Sequence, residues 1–365
     1  MMEQDRVLEA LRADLADLTA LHGVSGAEQP VVARLRDLFA PLVNELAIDH
    51  MGNLAATIAG PEGAPHVVVS AHSDEIGAVV ATIEPDGFLR LYPIGGVQAR
   101  LLEGRAVSVG GRPGVIGARA GHLTTAAEQG RAATIEELYV DLGVDDAEAV
   151  HRLGVRIGDR VVVLSELRAL AGTRVSGKAI DNRASCVVLL HLLRRLQGRS
   201  LPCRLTVLVA VQEENGLHGA TAAFARLHPD LAIVVDTVTA AGTPDTRHST
   251  FAAQIGRGIV IQPVGGANVG FLMQRAAQDA MIAAAGRAGV PYQLAVSAGG
   301  VTDAAAAHLA AGGIATLQIQ IPRRYSHSPV EVLDLRDLAA ALTLTEELVL
   351  NPPSAHDLAF LPEPS

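Results

Sequence analysis

His66-Val67-Val68-Val69-Ser70-Ala71-His72-Ser73-Asp74 is an apolar run that ends in an imidazole and a carboxylate. Its length and β-branched content read as a buried strand. His72 and Asp74 then emerge at the strand's end, where α/β proteins keep their chemistry. Three later stretches put carboxylates at similar places: Gly177-Lys178-Ala179-Ile180-Asp181-Asn182-Arg183, Gln212-Glu213-Glu214 and Val234-Val235-Asp236. Ser326-His327-Ser328-Pro329 completes the series. Together they point to a hydrolytic centre that uses two metal ions.

Working outward, the stretch before this strand predicts two helices. Leu8, Leu11, Leu15, Leu18 and Leu21 form one stripe of a helix over 5–21. Ser25 with Glu28 has the pattern of a capping box opening a second helix through Leu38. Strands are expected at 46–49, 54–58 and 67–71. From 78 to about 170 the chain becomes glycine-rich, with short β-branched runs separated by Asp86-Gly87, Gly110-Gly111 and Pro113-Gly114. This reads as a small β-barrel or sandwich inserted into an α/β domain. Strand–helix alternation then returns: helices over 182–196, 217–226, 271–288, 303–311 and 333–350, and strands at 204–211, 231–236, 292–296 and 314–321. The expected fold is α/β, with a mixed, mostly parallel sheet covered by helices and an inserted β-barrel. Its parts are a catalytic domain in two pieces, 1–77 and 173–365, and a β-rich insert, 78–172. Gly265-Gly266-Ala267-Asn268-Val269-Gly270 lacks nucleotide-binding spacing and reads as a flexible loop over a pocket. The tail from Asn351 reads as a loose terminus.

Composition narrows the functional classes. The 365 residues are 49% apolar with a mean hydropathy of +0.29, yet no apolar stretch reaches the roughly 18 residues of a membrane span. A formal net charge of -10 disfavours nucleic acid and anionic membranes as partners. No basic start and apolar core mark a secretion signal, so the expected location is cytoplasmic. Cys186 and Cys203 read as buried free thiols. Lys178, the chain's one lysine, stands three residues before Asp181, where it can act locally.

A two-metal site needs imidazole and carboxylate ligands, one carboxylate bridging the ions, and a free carboxylate to take a proton from the shared water. The strand-end clusters supply His72, Asp181, Glu214, Asp236 and His327 as ligands and Glu213 as the base. Two divalent cations are balanced by three ligand carboxylates and a hydroxide. Asp74 stands two residues from His72 and can hold its other ring nitrogen. Asp303 reads equally as a helix N-cap or a site residue.

With these residues in place, the chain resembles the glutamyl-aminopeptidase-like metallopeptidases, whose best-known members form tetrahedral particles. The resemblance runs nearly end to end. It rests on Ala71-His72-Ser73-Asp74-Glu75-Ile76-Gly77, Lys178-Ala179-Ile180-Asp181-Asn182-Arg183, Gln212 through Ala220, Thr302-Asp303-Ala304 and Arg324-Tyr325-Ser326-His327-Ser328-Pro329. It implies a zinc-exopeptidase-like fold in which the Ile94-Gly95-Gly96 and Gly158-Asp159 turns belong to an inserted dimerisation domain. One metal would be held by His72, Asp181 and Asp236, the other by Asp181, Glu214 and His327, with Glu213 as general base. The implied activity is a zinc- or cobalt-dependent aminopeptidase acting on short peptides, in a homo-oligomer built from dimers, often a dodecamer. The residues leave two rivals open: a deacylase or carboxypeptidase on the same metal platform, and a non-catalytic assembly protein. Three positions depart from the family pattern. Asn182 stands where a second aspartate is usual, the segment after Asp236 is one residue longer (with Asp245 as a weak substitute ligand), and His308 replaces a commoner glutamine.

Overall fold

The computed structural model describes residues 3–125, 131–249, 251–266, 270–297, 299–354 and 356–361. Helices α1 (Glu3–Ala20) and α2 (Gln29–Phe39) lead into strands β1 (Glu45–Ile48), β2 (Leu54–Ile58) and β3 (His66–His72). The Ser25–Glu28 pair does not form the expected capping box. Ser25 Oγ donates instead to Asp74 Oδ2 (2.6 Å), and Glu28 Oε1 accepts from the backbone N–H groups of Gly26 (2.8 Å) and Gln212 (3.0 Å). Both side chains therefore tie the α1–α2 turn to strand ends far away in sequence.

Strands β4 (Gly77–Ile83), β5 (Leu89–Ile94), β6 (Ala106–Val109), β7 (Arg112–Ile116), β8 (Tyr139–Asp141) and β9 (Arg160–Val163) close into an antiparallel barrel in the order β4-β5-β8-β7-β6-β9. Helix α3 (Ala147–Arg152) lies between β8 and β9 in sequence. The barrel has its own apolar core, including Val80, Leu89, Val107, Ile116 and Val140. Closure leaves it no free strand edges.

The remaining strands join β1–β3 in one twelve-stranded sheet. They are β10 (Arg168–Ala169), β11 (Arg174–Gly177), β12 (Arg204–Ala210), β13 (Leu231–Thr239), β14 (Ile259–Gly265), β15 (Phe271–Leu272), β16 (Tyr292–Ser297), β17 (Ala315–Arg324) and β18 (Glu331–Asp334). The main path runs β1-β2-β12-β3-β13-β17-β18-β11-β10, and β14, β15 and β16 branch from β17. Strands β12, β3, β13 and β17 are parallel neighbours, and antiparallel pairs flank them. The parallel strands are also the most continuously apolar, because helices must cover both their faces. Helix α4 (Ile180–Arg195) packs on β3 and β13, with α1 and α8 (Leu335–Leu350) beside it. Helices α5 (His218–Leu227) and α7 (Asp303–Ala307) pack together, and α7 meets β3, β13 and β17.

Two local expectations change. The helix expected from Phe271 begins at Arg275 (α6, Arg275–Ala288), because Phe271 and Leu272 pair with β14 instead. Asp303 is not the cap of α7; Thr302 is, with its hydroxyl accepting from Ala304 N. The loop expectation at 265–270 falls partly outside the described residues (267–269), as does the tail (355 and 362–365).

Candidate metal centre

Strand register brings the site together. Ala210 of β12 pairs with His72, and Val234 of β13 with Ser70, so Asp236 comes up beside His72. The chain leaves β12 through Gln212, which takes a left-handed φ of 55°. That turn aims Glu213 and Glu214 over the ends of β3 and β13. Asp74 fixes it, since its carboxylate accepts from the backbone N–H of Glu213 (3.0 Å) and of Glu214 (3.1 Å). Asp74 Oδ1 also lies 3.3 Å from His72 Nδ1, an ion-pair distance but off the line of a good hydrogen bond.

The side chains form two groups. His72, Glu213 and Asp236 make one; Asp181, Glu214 and His327 make the other. In each, one donor atom per residue lies within 4.8 Å of the rest. Asp181 joins the groups: its Oδ1 is 3.3 Å from His72 Nε2 and its Oδ2 is 3.4 Å from His327 Nε2. Glu214 Oε1 lies 3.2 Å from His327 Nε2, and Asp236 Oδ1 lies 3.7 Å from His72 Nε2. Imidazole nitrogens and carboxylate oxygens gathered with one carboxylate between them are a donor set that fits a pair of divalent cations.

Electrostatics agree with that fit. Burial pushes the Glu213 carboxyl well up, and Asp236, Glu214 and Asp303 add to the rise against His72. Burial opposes a charge on His72, yet Glu213, Asp181, Asp236 and Asp74 drive its pKa well up. His327 is carried to about 10 because Asp181 and Glu214 outweigh its burial. The site thus concentrates negative charge that cations can offset.

The backbone is strained where these residues sit. Ala179, Gln212, Tyr325 and His327 all have left-handed φ between 53° and 58°. Each costs on the order of 1–3 kcal/mol in a residue with a side chain. The barrel reaches the site through Gly95 and Gly96. A Cβ on Gly96 would sit 2.5 Å from His327 Nδ1, and one on Gly95 would sit 3.3 Å from Glu214 Cβ. Only glycine lets this turn lie so close to the two side chains.

Four residues near the centre were given no role at the site from the sequence. Arg323 is buried, pairs with Asp181 Oδ2, donates from Nε to Thr237 Oγ1 (2.7 Å) and lies 3.5 Å from Glu331 Oε1. Glu331 accepts from the backbone N–H of Asp181 (3.0 Å) and of His327 (2.9 Å), so one carboxylate positions both. The third, Ser25, holds Asp74, as described above. The fourth, Glu75, accepts from Lys178 Nζ (2.8 and 2.9 Å) and from Arg183 (3.3 Å). Lys178 Nζ also donates to Leu21 O (3.2 Å), so the lone lysine joins α1 to the segment before Asp181.

A family model described as M42 glutamyl aminopeptidase matches residues 52–344. The chain belongs to the M42 glutamyl aminopeptidase family. It is 31% identical to a lysyl aminopeptidase of Pyrococcus furiosus, over 90% of this chain and 93% of that one. Its fold is similar to an aminopeptidase of Desulfurococcus kamchatkensis, with a TM-score of 0.90, 33% identity and coverage of 100% and 99%. It is also similar to the Pyrococcus horikoshii TET1 peptidase, described as assembling into a tetrahedron or a large octahedral shell. There the TM-score is 0.83 at 29% identity, covering 93% of this chain and 99% of that one.

Within this M42 family, the chain's departures lie outside the two groups themselves. Asn182 donates from Nδ2 to Val235 O (3.2 Å). Asp245 is exposed, while Asp236 is the aspartate beside His72. His308 packs edge-on to Phe271 and donates from Nδ1 to Ala304 O (2.9 Å), so it does not line the cavity at the centre. Asp303 is fully buried, with both carboxylate oxygens lacking a hydrogen-bond partner among the described residues. Burial raises its pKa to about 8; Asp236 and Asp74 push in the same direction, against His72.

Proposed function

We propose that the chain removes N-terminal residues from short peptides with two divalent ions, zinc or cobalt. His72, Asp181 and Asp236 would hold one ion, and Asp181, Glu214 and His327 the other. The observation that carries this reading is the Asp181 carboxylate, one oxygen turned to each histidine. When bound, the ions would lower the pKa of a shared water and polarise the scissile carbonyl.

Glu213 acts as the general base. Its carboxylate accepts no hydrogen bond among the described residues, and it lies 3.9 Å from His72 Nε2. It takes the water's proton and passes it to the leaving amine. Asp74 positions His72 and, through two backbone hydrogen bonds, the turn that carries Glu213. Glu213→Gln should keep the metal content and melting temperature of the wild type while kcat falls by about 10²–10⁴-fold. Unchanged turnover removes Glu213 from the role. Hydrolysis of N-acylated peptides but not of free-amine ones moves the chain to the related amidohydrolases.

We also propose that 78–172 is an inserted dimerisation domain and that 1–77 and 173–365 form the catalytic one. The barrel's own core supports this division. The expected assembly is a homo-oligomer of dimers, up to a dodecamer, supported by similarity to the Pyrococcus horikoshii particle. A cytoplasmic location fits two buried free cysteines. Among the described residues, no helix is long and apolar enough to cross a membrane.

A further inference from the structure

Strand β16 is the outer edge of the β14 branch: among the described residues, β14 is its one partner strand. At its C-terminal end, Val296 and Ser297 line the cavity, about 930 Å³ in volume, that His72, Asp181 and Glu213 also line. The strand leaves an apolar row in the open. Tyr292, Leu294 and Val296 are 39%, 46% and 61% exposed, whereas Ala295 between them is buried. Sheet edges are ordinarily guarded by charge or proline. Tyr292-Gln293-Leu294-Ala295-Val296-Ser297 has neither.

The backbone of this edge is open as well. Pro291 O accepts from Ile259 N (3.2 Å), and Ser297 O accepts from Gly266 N (3.2 Å). The odd-numbered residues of β16 thus turn their main-chain groups toward β14, and alternate residues of a strand turn theirs the opposite way. The N–H and C=O groups of Tyr292, Leu294 and Val296 therefore point outward, where no other strand of the described residues meets them.

We propose that the open edge of β16 is a docking track for the trailing part of a peptide whose N-terminus lies at the metal centre. The inference rests on the aminopeptidase reading above. The occupant is an extended peptide that joins β16 as an added antiparallel strand. Its direction follows from the cavity: a chain leaving it meets Val296 first and Tyr292 last, against the run of β16. From Tyr292 to Val296 the edge spans about 13 Å, room for about five peptide residues. A peptide residue opposite Tyr292, Leu294 or Val296 exchanges main-chain hydrogen bonds with it and carries its side chain on the same face. An apolar side chain at every second peptide position therefore fits the exposed row. Continuity with the catalytic cavity through Val296 and Ser297 favours the substrate over a second copy of the chain as the occupant.

The test uses the full-length protein loaded with zinc or cobalt and two C-terminally amidated peptides that share their first four residues. One ends there; the other is extended to twelve by alternating Val and Ser. Release of the first residue is followed by mass. The longer peptide should show a kcat/KM at least about tenfold higher, a ratio that two or three net main-chain hydrogen bonds can supply. A single N-methyl group moved along the extension should lower the rate at alternate positions only, because every second N–H points at β16. In Tyr292→Ser/Leu294→Ser the long-to-short ratio should fall toward one. Equal rates for the two peptides, or an N-methyl effect without the two-residue period, overturn the track and leave the aminopeptidase reading standing. An unchanged ratio in a double variant that melts like the wild type overturns it too, and a smaller particle in sedimentation then assigns the edge to a second copy. Should the double variant fail to fold, the N-methyl series on the wild type decides the matter. Turnover of neither peptide sinks the aminopeptidase reading and the track together.

Discussion

Every left-handed backbone position in the barrel among the described residues, from Gly87 to Gly158, is a glycine. The sheet that carries the metal centre instead places Ala179, Gln212, Leu217, Tyr325 and His327 in that region of φ. Buried polar side chains divide the same way. Among the described residues the barrel strands and their turns bury Ser108 alone, whereas the sheet buries His72, Asp74, Lys178, Asp181, Glu213, Asp236, Arg323 and Glu331, among others. The barrel has relaxed turns around an apolar core. The sheet holds strained turns and clustered charge in place, and its large core of Val and Leu side chains offsets that cost.

The largest expected effect comes from breaking the charge cluster. Arg323→Leu leaves Asp181 and Glu331 buried with less compensation and should destabilise the metal-free protein by about 3–5 kcal/mol. Zinc or cobalt should recover more of that loss than it adds to the wild type, because an ion takes over neutralising Asp181. Leu89→Ala in the barrel should cost about 2–5 kcal/mol by leaving a cavity. Its loss should not respond to metal. Thermal unfolding of both variants with and without the ion checks the contrast, and equal metal responses would end it.

A smaller effect compares the turns directly. Gly143 has φ 74° and nothing within 4 Å of an added Cβ, so Gly143→Ala should cost about 1–2 kcal/mol in backbone strain alone. Ala179→Gly relieves strain of the same size, offset by roughly 0.5–1 kcal/mol of added chain entropy, and should be neutral to slightly stabilising. Melting curves of the two variants should move in opposite directions or, for Ala179→Gly, not at all. A clear drop for Ala179→Gly would show that the site-side turns are not strained.

The smallest effect lies outside both regions. Burial alone would raise the pKa of Asp14, but pairing with His191 (2.7 Å) and Arg194 leaves it below its usual 3.8. The folded value is the lower one, so the pair's contribution is complete above pH 3.8 and is lost as pH falls through the folded value. Asp14→Asn should therefore cost up to about 1 kcal/mol near pH 7, after solvent screening, and less as the solution is acidified. A difference that grows on acidification contradicts the sign.

Much of the site was legible because a buried strand must be apolar until it ends. Polar residues then stand out, and His72, Glu213, Glu214 and Asp236 all follow such runs. Arg323 was hidden for the opposite reason. β17 was expected to stop at Ile321, and an arginine past a strand's end ordinarily points to solvent. The strand continues to Arg324, and the guanidinium turns inward because Asp181 and Glu331 are there to meet it. β14 was missed because Gln262 and the glycines after it break its apolar pattern. Ser25 and Glu28 had the right spacing for a cap, but spacing cannot reveal a competing acceptor such as Asp74 or a donor such as Gln212 N–H brought in by tertiary contact. The barrel's position was readable from glycine density; its closure through β4–β9 pairing was not, because Ala78↔Val161 joins residues far apart in the chain.

Lys178 gives the molecule a chemical property that none of its other residues shares. It is the chain's one lysine and is 5% exposed, so the folded surface presents its side-chain cations as guanidinium or imidazolium. Acylating reagents that seek primary amines will find no side-chain target until the segment before Asp181 separates from α1. A mass increment on that residue would then time the opening of the hydrolytic half, with no dye or engineered tag required.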